Sequence, residues 1–143
     1  MKYEGEYLNG KRNGKGKEYN SQEKLIFEGE FKEGKKWNGK GKLISSGQLM
    51  FEGEYKNGKR WNGKEYNYNN KLIFEGEYLN GERFNGKVKE YNYNNKLIFE
   101  GEYKNGKRNG KGKEYNYFGE IIFEGEYLYD HKYSPSNTNV PFK

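Results

Sequence analysis

Paired glutamates are the residues of this chain with the most evident capacity for chemistry. Two glutamates flank a glycine in each copy of an aromatic-Glu-Gly-Glu-aromatic phrase, from Glu4 and Glu6 to Glu124 and Glu126. Neighbouring carboxyl groups can divide acid and base roles in catalysis. These pairs, however, recur in every copy with lysines available as partners, whereas a catalytic pair should be singular. We therefore interpret them as a structural ladder.

Other catalytic and metal-binding chemistries lack the residues they need. His131 is the only histidine and stands in an irregular C-terminal stretch, so histidine metal clusters and nucleophile–base pairs cannot be built. Cysteine is absent, which excludes disulfides and thiolate sites and fits a reducing compartment. The Gly-Lys-Gly-Lys segments are not phosphate-binding loops, because no helix or hydroxyl follows them. We expect no enzymatic activity, no metal and no cofactor.

Basic pairs at equivalent positions form the first candidate binding surface. With one acidic exception they are Lys11-Arg12, Lys35-Lys36, Lys59-Arg60, Glu82-Arg83 and Lys107-Arg108. If each repeat is a pair of strands, these positions lie roughly 9.5 Å apart along one sheet edge. Such an edge would dock on an anionic partner, where each basic residue near an acidic membrane adds about 1 kcal/mol. The alternative is a solvated edge that prevents aggregation.

Three aromatic residues beside those pairs are the second candidate. Trp37, Trp61 and Phe84 are insertions found in the three central repeats only. An aromatic next to lysine or arginine has the composition of an interfacial anchor. The same insertion is expected of a β-bulge whose ring folds back onto the sheet.

These candidates are positioned by a tandem repeat. The aromatic-Glu-Gly-Glu-aromatic phrase begins at Tyr3, Phe27, Phe51, Phe74, Phe99 and Phe123. Such a period means that each unit is one supersecondary element that relies on its neighbours to bury its apolar face. We expect a single array of five full repeats and a partial sixth over residues 1–133, followed by a tail at 134–143.

Each repeat has the pattern of a β-hairpin. The segment around Phe27 alternates with a period of two, and Asn-Gly pairs such as Asn9-Gly10 mark the turn. Regular glycines such as Gly29 leave slots that an aromatic ring can cover. On the other face, Glu28 and Glu30 are expected opposite Lys40 and Lys42. Tyrosines such as Tyr66 fall on the lysine parity, so both faces are expected to carry aromatics unless a bulge intervenes.

With the strand, the turn and the following Gly-Lys-Gly identified, the chain resembles the MORN repeat family over nearly its whole length. Repeat 5, from Phe99 to Gly112, matches the family pattern almost throughout. Asn replaces the usual His before the glycine, at Asn13, Asn38, Asn62, Asn85 and Asn109. Repeats 3 and 4 have Glu65 and Val88 in place of the second glycine. The resemblance implies an all-β fold, an elongated, open, twisted antiparallel sheet of tandem hairpins.

The resemblance also implies an assembly or targeting module. We expect a non-enzymatic scaffold that binds a protein partner or itself, along its long face or at its ends. The alternative is peripheral binding to anionic phospholipid membranes through the basic pairs and inserted aromatics. Nucleic acid is not expected, because no known binding module matches. The expected location is the cytoplasm, free or at a membrane periphery, since no apolar run approaches the ~20 residues of a membrane span.

The chain ends are the third candidate surface, because an open sheet leaves its outer strands unpaired. Phe123 to Leu128 is expected to be a first strand whose return is replaced by Tyr129 to Tyr133 and the tail. Pro135 and Pro141 argue against regular structure there. The tail is expected either to cap the last hairpin or to be a disordered remnant, and the functional alternative for the chain ends is end-to-end pairing of two molecules.

Overall fold

The computed structural model describes residues 1–133 and the backbone of residues 141–142. These residues form strands and turns, with no helix that could span a membrane. The strands in chain order are β1 (Lys2–Leu8), β2 (Lys11–Tyr19), β3 (Leu25–Lys32), β4 (Lys35–Ser45), β5 (Gln48–Lys56), β6 (Lys59–Tyr66), β7 (Leu72–Leu79), β8 (Glu82–Tyr91), β9 (Leu97–Lys104), β10 (Lys107–Tyr115), β11 (Ile121–Leu128), β12 (His131–Tyr133) and β13 (Pro141–Phe142).

All thirteen strands belong to one open sheet in which each strand pairs with the next along the chain, antiparallel throughout. The all-β prediction of tandem hairpins is therefore confirmed. Tight turns at one long edge, the tip edge, join β1 to β2 and each later odd strand to the following even one. Asn9 and Gly10 have φ values of 52° and 78° there, and the other tips repeat these values closely. Two successive residues of positive φ make the type I′ turn that Asn-Gly favours.

Asparagine-centred loops form most of the opposite edge, the connector edge. In the connector from Asn67 to Lys71, the Asn67 side-chain oxygen accepts hydrogen bonds from the backbone N–H groups of Asn69 and Lys71 at 2.9 and 3.0 Å. The connectors at Asn20, Asn92 and Asn116 repeat this arrangement. Asparagine side chains that accept backbone N–H groups of their own loop in this way are typical of tight turns.

The last hairpin differs from the sequence expectation. Residues Tyr129 and Asp130 form a tip turn, and His131–Tyr133 returns along β11, with Leu128 opposite His131. A short return strand is thus present where we expected it to be replaced by irregular structure. Pro141 also lies in a strand, opposite Tyr133; proline is tolerated in edge strands because its missing N–H faces outward. Pro135 and the remainder of the tail, residues 134–140 and 143, lie outside the described residues.

One side of the sheet, the ring face, carries Phe27, Gly29, Phe31 and their equivalents in other repeats. Phe27, Phe51 and Phe74 have no exposed surface, although the sheet is a single layer. The rings meet edge to face, with Phe51 and Tyr78 centroids 5.6 Å apart, a favoured geometry for aromatic pairs. The predicted covering of glycines is confirmed: a Cβ built on Gly39 would lie 3.0 Å from the Phe27 ring.

The other side, the groove face, carries the glutamates and lysines. Glu28 lies opposite Lys40, as predicted, but Glu30 lies opposite Asn38 and not opposite Lys42. Lys42 instead pairs with Glu52 of the next repeat. The cause is a difference of two residues between the registers on the two sides of β4. Gly39 lies opposite Gly29 of β3, whereas Gly41 lies opposite Gly53 of β5.

Tyrosines near the connectors reach the groove face as well. The Tyr66 hydroxyl donates to Glu52 Oε1 at 3.1 Å, and the Tyr115 hydroxyl donates to Glu100 Oε1 at 2.5 Å. The register shift at this point of the ladder leaves Ile73 of β7 as the extra residue, so the alternation of β6 from Glu65 to Tyr66 is unbroken. Both faces therefore carry aromatics, as the parity of these tyrosines predicted.

Candidate functional site

The basic pairs of the tip edge are divided between two environments. The first members are exposed, namely Lys11, Lys35, Lys59, Glu82 and Lys107. The second members are partly buried, namely Arg12, Lys36, Arg60, Arg83 and Arg108. They lie over rings of the ring face, with Arg60 Cζ 4.4 Å from the Phe51 centroid and Arg108 Cζ 3.9 Å from the Phe99 centroid. The expectation that both members line the edge is therefore wrong for the second member of each pair.

Glutamates of the even-numbered strands hold these cations in place. Arg83 donates to Glu65 through Nε at 3.0 Å and Nη2 at 2.8 Å, and the Tyr78 hydroxyl donates to the same carboxylate at 2.8 Å. Burial alone would raise the pKa of Glu65, but the hydrogen bonds from Arg83 and Tyr78 outweigh it and lower that pKa. Burial, followed by the hydrogen bond to Glu65, raises the pKa of Tyr78. The carboxylate thus stays charged and fixes the guanidinium over the rings.

The same arrangement recurs along the sheet. Arg108 binds Glu90 through two nitrogens, and both Arg12 and Lys36 approach Glu18, at 3.6 and 3.8 Å. Lys132 pairs with Glu114 at 3.2 Å. Arg60 differs because Leu43 stands at the glutamate position, opposite Phe51, and among the described residues no carboxylate lies within ion-pair distance of it. The cations and their glutamates act as a second layer that closes the ring face.

Trp37, Trp61 and Phe84 are the extra residues of β-bulges. Glu30 pairs with Asn38 and Phe31 with Lys36, which leaves Trp37 between them, and the other two repeats share this register. The Trp37 ring packs against Gly58 of the next tip, where a Cβ built on the glycine would lie 3.4 Å from the ring. Lys32 Nζ lies 4.7 Å from the centroid of the same ring. Trp61 remains 38% exposed, with Lys56 Nζ 5.2 Å from its ring. The bulge interpretation is confirmed, and Trp61 retains an accessible ring.

Asparagines before the strand glycines connect neighbouring tips, a role that the sequence interpretation missed. The Asn38 side-chain oxygen accepts the N–H of Asn57 in the next tip at 2.9 Å, and the Gly58 N–H donates to the Trp37 carbonyl at 2.9 Å. Asn13, Asn85 and Asn109 make equivalent bonds. The recurrence of asparagine at one position in every full repeat was the available signal. These paired bonds tie each tip to the next.

The junction between the third and fourth tips lacks both bonds. Within residues 1–133, neither the Asn80 nor the Gly81 N–H has a hydrogen-bond partner in the preceding tip. The β6–β7 ladder also ends early, at Asn62 opposite Glu77. The next position toward the tip holds Trp61, whereas the other full repeats place a glycine there, opposite the second aromatic of the following repeat, namely Gly14, Gly39, Gly86 and Gly110. In repeat 3 Gly63 lies opposite Gly76, so the position that would meet Tyr78 holds Trp61, the extra residue of the bulge, and pairing stops there, which leaves this junction open.

Two shallow grooves cross the groove face. Groove A, of about 740 Å³, crosses β3 to β7 over a floor formed by Phe27, Gly41, Gly53, Gly63 and Gly76. Groove B, of about 710 Å³, crosses β7 to β11 over a floor formed by Phe74, Val88, Gly101, Gly112 and Gly125. Floor positions are largely bare backbone because their side chains point to the ring face or are absent. Sequence periodicity alone did not indicate these grooves.

The rims of the two grooves differ in charge at one position. The tip-side rim of groove A holds Glu28, Lys40, Glu54, Asn62 and Glu77, which is three negative charges against one positive. The corresponding rim of groove B holds Glu75, Lys87, Glu102, Lys111 and Glu126, three negative against two positive. Lys111 therefore stands where groove A has Asn62. Among the described residues, neither Glu54 nor Glu77 lies within ion-pair distance of a cation.

The connector edge displays exposed aromatics, of which Tyr68 and Tyr93 were expected by their parity to lie in strands but lie in turns. Tyr68 is 68% exposed, Tyr93 is 97% exposed and Phe118 is 82% exposed. Their positions in three equivalent connectors were visible in the sequence, but the alternating pattern does not say which loop residues face outward. At the start of the sheet, the outer edge of β1 has no neighbouring strand within the described residues.

Comparison with known protein families agrees with this architecture. A family model described as MORN repeat matches residues 3–21, 27–48, 51–61 and 99–116, each match beginning at the first aromatic of a repeat. None of the curated proteins compared matches the chain significantly. MORN repeats are a non-enzymatic repeat type and generally serve as interaction or membrane-binding modules. The four matches, on a sheet of tandem hairpins, identify this chain as a MORN-repeat protein.

Proposed function

We propose that the protein is a non-enzymatic scaffold that binds a protein partner on its groove face. One observation carries this proposal: the ring face is closed by its own cations, while the groove face keeps two open channels floored by backbone. Binding sites in proteins are concave and offer few but well-placed polar groups. Residues 1–133 would act as one array, in which binding surface accumulates from repeat to repeat.

The charge of groove A favours a basic partner segment. Its tip-side rim has two more carboxylates than ammonium groups, in a protein whose formal net charge is +6. Complementary charge raises both association rate and specificity. A lysine- or arginine-rich extended segment would place its side chains against Glu54 and Glu77. The exposed tip lysines of a second copy offer the same chemistry, so self-association through this groove is an outcome of the test.

Fluorescence anisotropy with a labelled lysine-rich peptide and a glutamate-rich peptide of equal length tests this proposal. Wild-type protein is expected to bind the basic peptide more tightly. Asn62→Lys gives groove A the charge of groove B and is expected to weaken that binding by up to roughly fivefold, the effect of one surface ion pair. Lys111→Asn is the matched control in groove B and should not weaken it.

Light scattering over a range of concentrations distinguishes a peptide partner from a second copy. Concentration-dependent dimers that Asn62→Lys abolishes would assign groove A to self-association. Equal binding of the basic peptide by wild type and Asn62→Lys, or weaker binding by Lys111→Asn, would contradict the proposal.

Peripheral binding to anionic membranes is the second candidate. Lys11, Lys35, Lys59 and Lys107 are exposed at the tip edge, and Trp61 lies beside them with an accessible ring. A row of basic residues with an interfacial aromatic is the composition of a membrane-surface anchor. The protein would then work in the cytoplasm at a membrane periphery.

Co-sedimentation with phosphatidylserine-containing vesicles at low salt tests this candidate. Binding that disappears in the Lys11→Glu, Lys35→Glu, Lys59→Glu and Lys107→Glu combination would support it. No binding of wild-type protein in low salt would exclude it, since electrostatic attraction is strongest there.

A further inference from the structure

Four tips have the same Asn-Gly turn and invite a direct comparison. They are Asn9-Gly10, Asn57-Gly58, Asn80-Gly81 and Asn105-Gly106. The four asparagines have φ between 52° and 54° and all are exposed. Local conformation and solvent access therefore do not distinguish them.

The hydrogen bonding of the glycine nitrogen does distinguish them. The Gly58 N–H donates to the Trp37 carbonyl at 2.9 Å, and the Gly106 N–H donates to the Phe84 carbonyl at 2.8 Å. The Gly81 N–H has no such partner in the described residues, because the junction between the third and fourth tips is open. The Gly10 N–H, in the first tip of the described sheet, also has no such partner among the described residues.

The asparagine nitrogens follow the same division. The Asn57 N–H is held by Asn38 at 2.9 Å, and the Asn105 N–H is held by Asn85 at 3.1 Å. The N–H groups of Asn9 and Asn80 have no side-chain acceptor in the described part of the chain. The tips at Asn57 and Asn105 are thus tied, meaning that both of their N–H groups donate to the preceding tip. The tips at Asn9 and Asn80 are untied, since neither N–H has such a bond among the described residues.

We propose that Asn9 and Asn80 are sites of spontaneous deamidation, and that Asn57 and Asn105 are protected from it. The backbone nitrogen of the following glycine attacks Cγ of the asparagine side chain and loses its proton, and ammonia leaves. The product is a cyclic succinimide. Water then adds to one of its two carbonyl carbons and opens the ring, giving aspartate or isoaspartate, with no oxidant or reductant required.

Local opening of the turn controls this reaction. A glycine nitrogen that donates to a neighbouring carbonyl is held away from the asparagine side chain. The turn must also leave its folded conformation for the nitrogen and Cγ to meet. At Asn57 and Asn105 this opening breaks two inter-tip hydrogen bonds, and at Asn9 and Asn80 it breaks none. Each bond of this kind is modest, but two must break in the same opening, so we expect roughly tenfold slower reaction at the tied tips.

The reaction would change the tip edge chemically. Each event replaces a neutral amide with a carboxylate, close to the exposed first residue of the basic pair in that tip. At the fourth tip this first residue is already acidic, Glu82. Isoaspartate also lengthens the backbone by one carbon and would disturb the type I′ turn. The fourth tip would therefore become the most acidic part of an otherwise basic edge.

Peptide mapping by mass spectrometry after incubation at mildly alkaline pH tests the proposal. Deamidation at Asn9 and Asn80 is expected to run about tenfold faster than at Asn57 and Asn105 in the folded protein. The same protein in denaturant supplies the reference, where the four rates should converge because each asparagine precedes glycine. Equal folded-state rates at Asn80 and Asn57, after division by the denatured rates, would overturn the proposal.

A variant that unties a protected tip sharpens the test. Asn85→Ala removes the acceptor for the Asn105 N–H and should accelerate deamidation at Asn105 while Asn57 stays slow. Asn38→Ala makes the reciprocal change at Asn57 and serves if Asn85→Ala does not fold. No acceleration in a folded variant would show that the inter-tip bonds do not govern the reaction.

Discussion

The two faces of the sheet are built from the same strands and have opposite properties. The ring face alternates aromatics with glycines, and Arg83 and its equivalents lie over the rings, so Phe74 is fully buried in a single layer. The groove face alternates glutamates with lysines and has no such cover. Because successive side chains of a strand point to opposite sides, one repeat unit specifies both surfaces.

The difference indicates how a thin sheet divides its tasks. Rings, cations and their carboxylates supply the burial that a second layer gives other folds, which fits a chain with only 31% hydrophobic residues. The ladders on the groove face set register through pairs that contribute roughly 0.2 to 1 kcal/mol each. Stability should therefore depend on the ring face, and recognition on the groove face.

Replacing a ring should have the largest effect. We expect Phe74→Ala to lower the free energy of unfolding by about 3–5 kcal/mol, because the ring is fully buried and leaves a cavity. Glu75→Ala, on the same strand but the opposite face, should change it by less than about 1 kcal/mol. Urea denaturation followed by circular dichroism compares the two. Similar losses of unfolding free energy in the two variants would mean that both faces contribute equally to stability.

A methyl group added to the ring face should have the next largest effect. A Cβ at Gly76 would lie 2.2 Å from the Asn85 carbonyl oxygen and 2.6 Å from Gly86 Cα. Backbone atoms cannot easily move, so Gly76→Ala is expected to cost about 1–3 kcal/mol. Gly125→Ala is the control, because the three described atoms nearest to its Cβ would all belong to the Phe123 ring, the first at 2.9 Å, and none to backbone. An equal cost at both positions would argue against backbone contact as the cause.

Removing a cation should have a smaller and pH-dependent effect. Arg83→Met should cost about 1–2 kcal/mol at neutral pH, less than a fully buried pair, because the Arg83 side chain is 30% exposed.

The pH dependence follows from the lowered pKa of Glu65. A lowered folded-state pKa contributes stability above the ordinary value of 4.5, and this contribution is lost as the pH falls through the folded-state value. Unfolding free energies measured across this acidic range should thus fall more steeply for wild type than for Arg83→Met. Parallel slopes would show that Glu65 is not the responsible group.

The two members of a tip pair should give the smallest contrast. Arg60→Ala removes a guanidinium stacked on Phe51 and is expected to cost about 1 kcal/mol. Lys59→Ala, at the neighbouring exposed position, should stay within about 0.5 kcal/mol. Thermal denaturation of both variants makes the comparison. A larger loss of stability for Lys59→Ala than for Arg60→Ala would mean that Lys59, and not Arg60, belongs to the structural layer over the rings.

Much of the fold could be predicted, because its signals are local. Asn9-Gly10 and its equivalents specify the turns, and the two-residue alternation around Phe27 specifies the strands. The return strand His131–Tyr133 was missed because three residues without glycine carry too little pattern. The pairing of Lys42 was wrong because the two-residue difference in register across β4 depends on both neighbouring strands, which no single repeat discloses.

The candidate surfaces were less predictable, because they depend on side-chain direction. The bulge at Trp37 sets which face Lys36 reaches, and a difference of one residue moves a side chain to the other face. The recurrent asparagines were noted in the sequence, but their bonds join residues about twenty positions apart, beyond the range of a turn or strand pattern. Each groove depends on the relative register of five successive strands, β3 to β7 for groove A and β7 to β11 for groove B, which the pattern of one repeat does not contain.

Grooves A and B meet at β7 but do not continue one another. Groove A crosses β7 above Gly76, and groove B crosses it above Phe74. The offset displaces the two paths by roughly 6–7 Å along the strand. A straight rod therefore fits along only five strands, a length of about 19 Å. A longer ligand must bend at β7 to pass from one groove to the other. Alternatively, two short ligands bind side by side with this lateral offset between them.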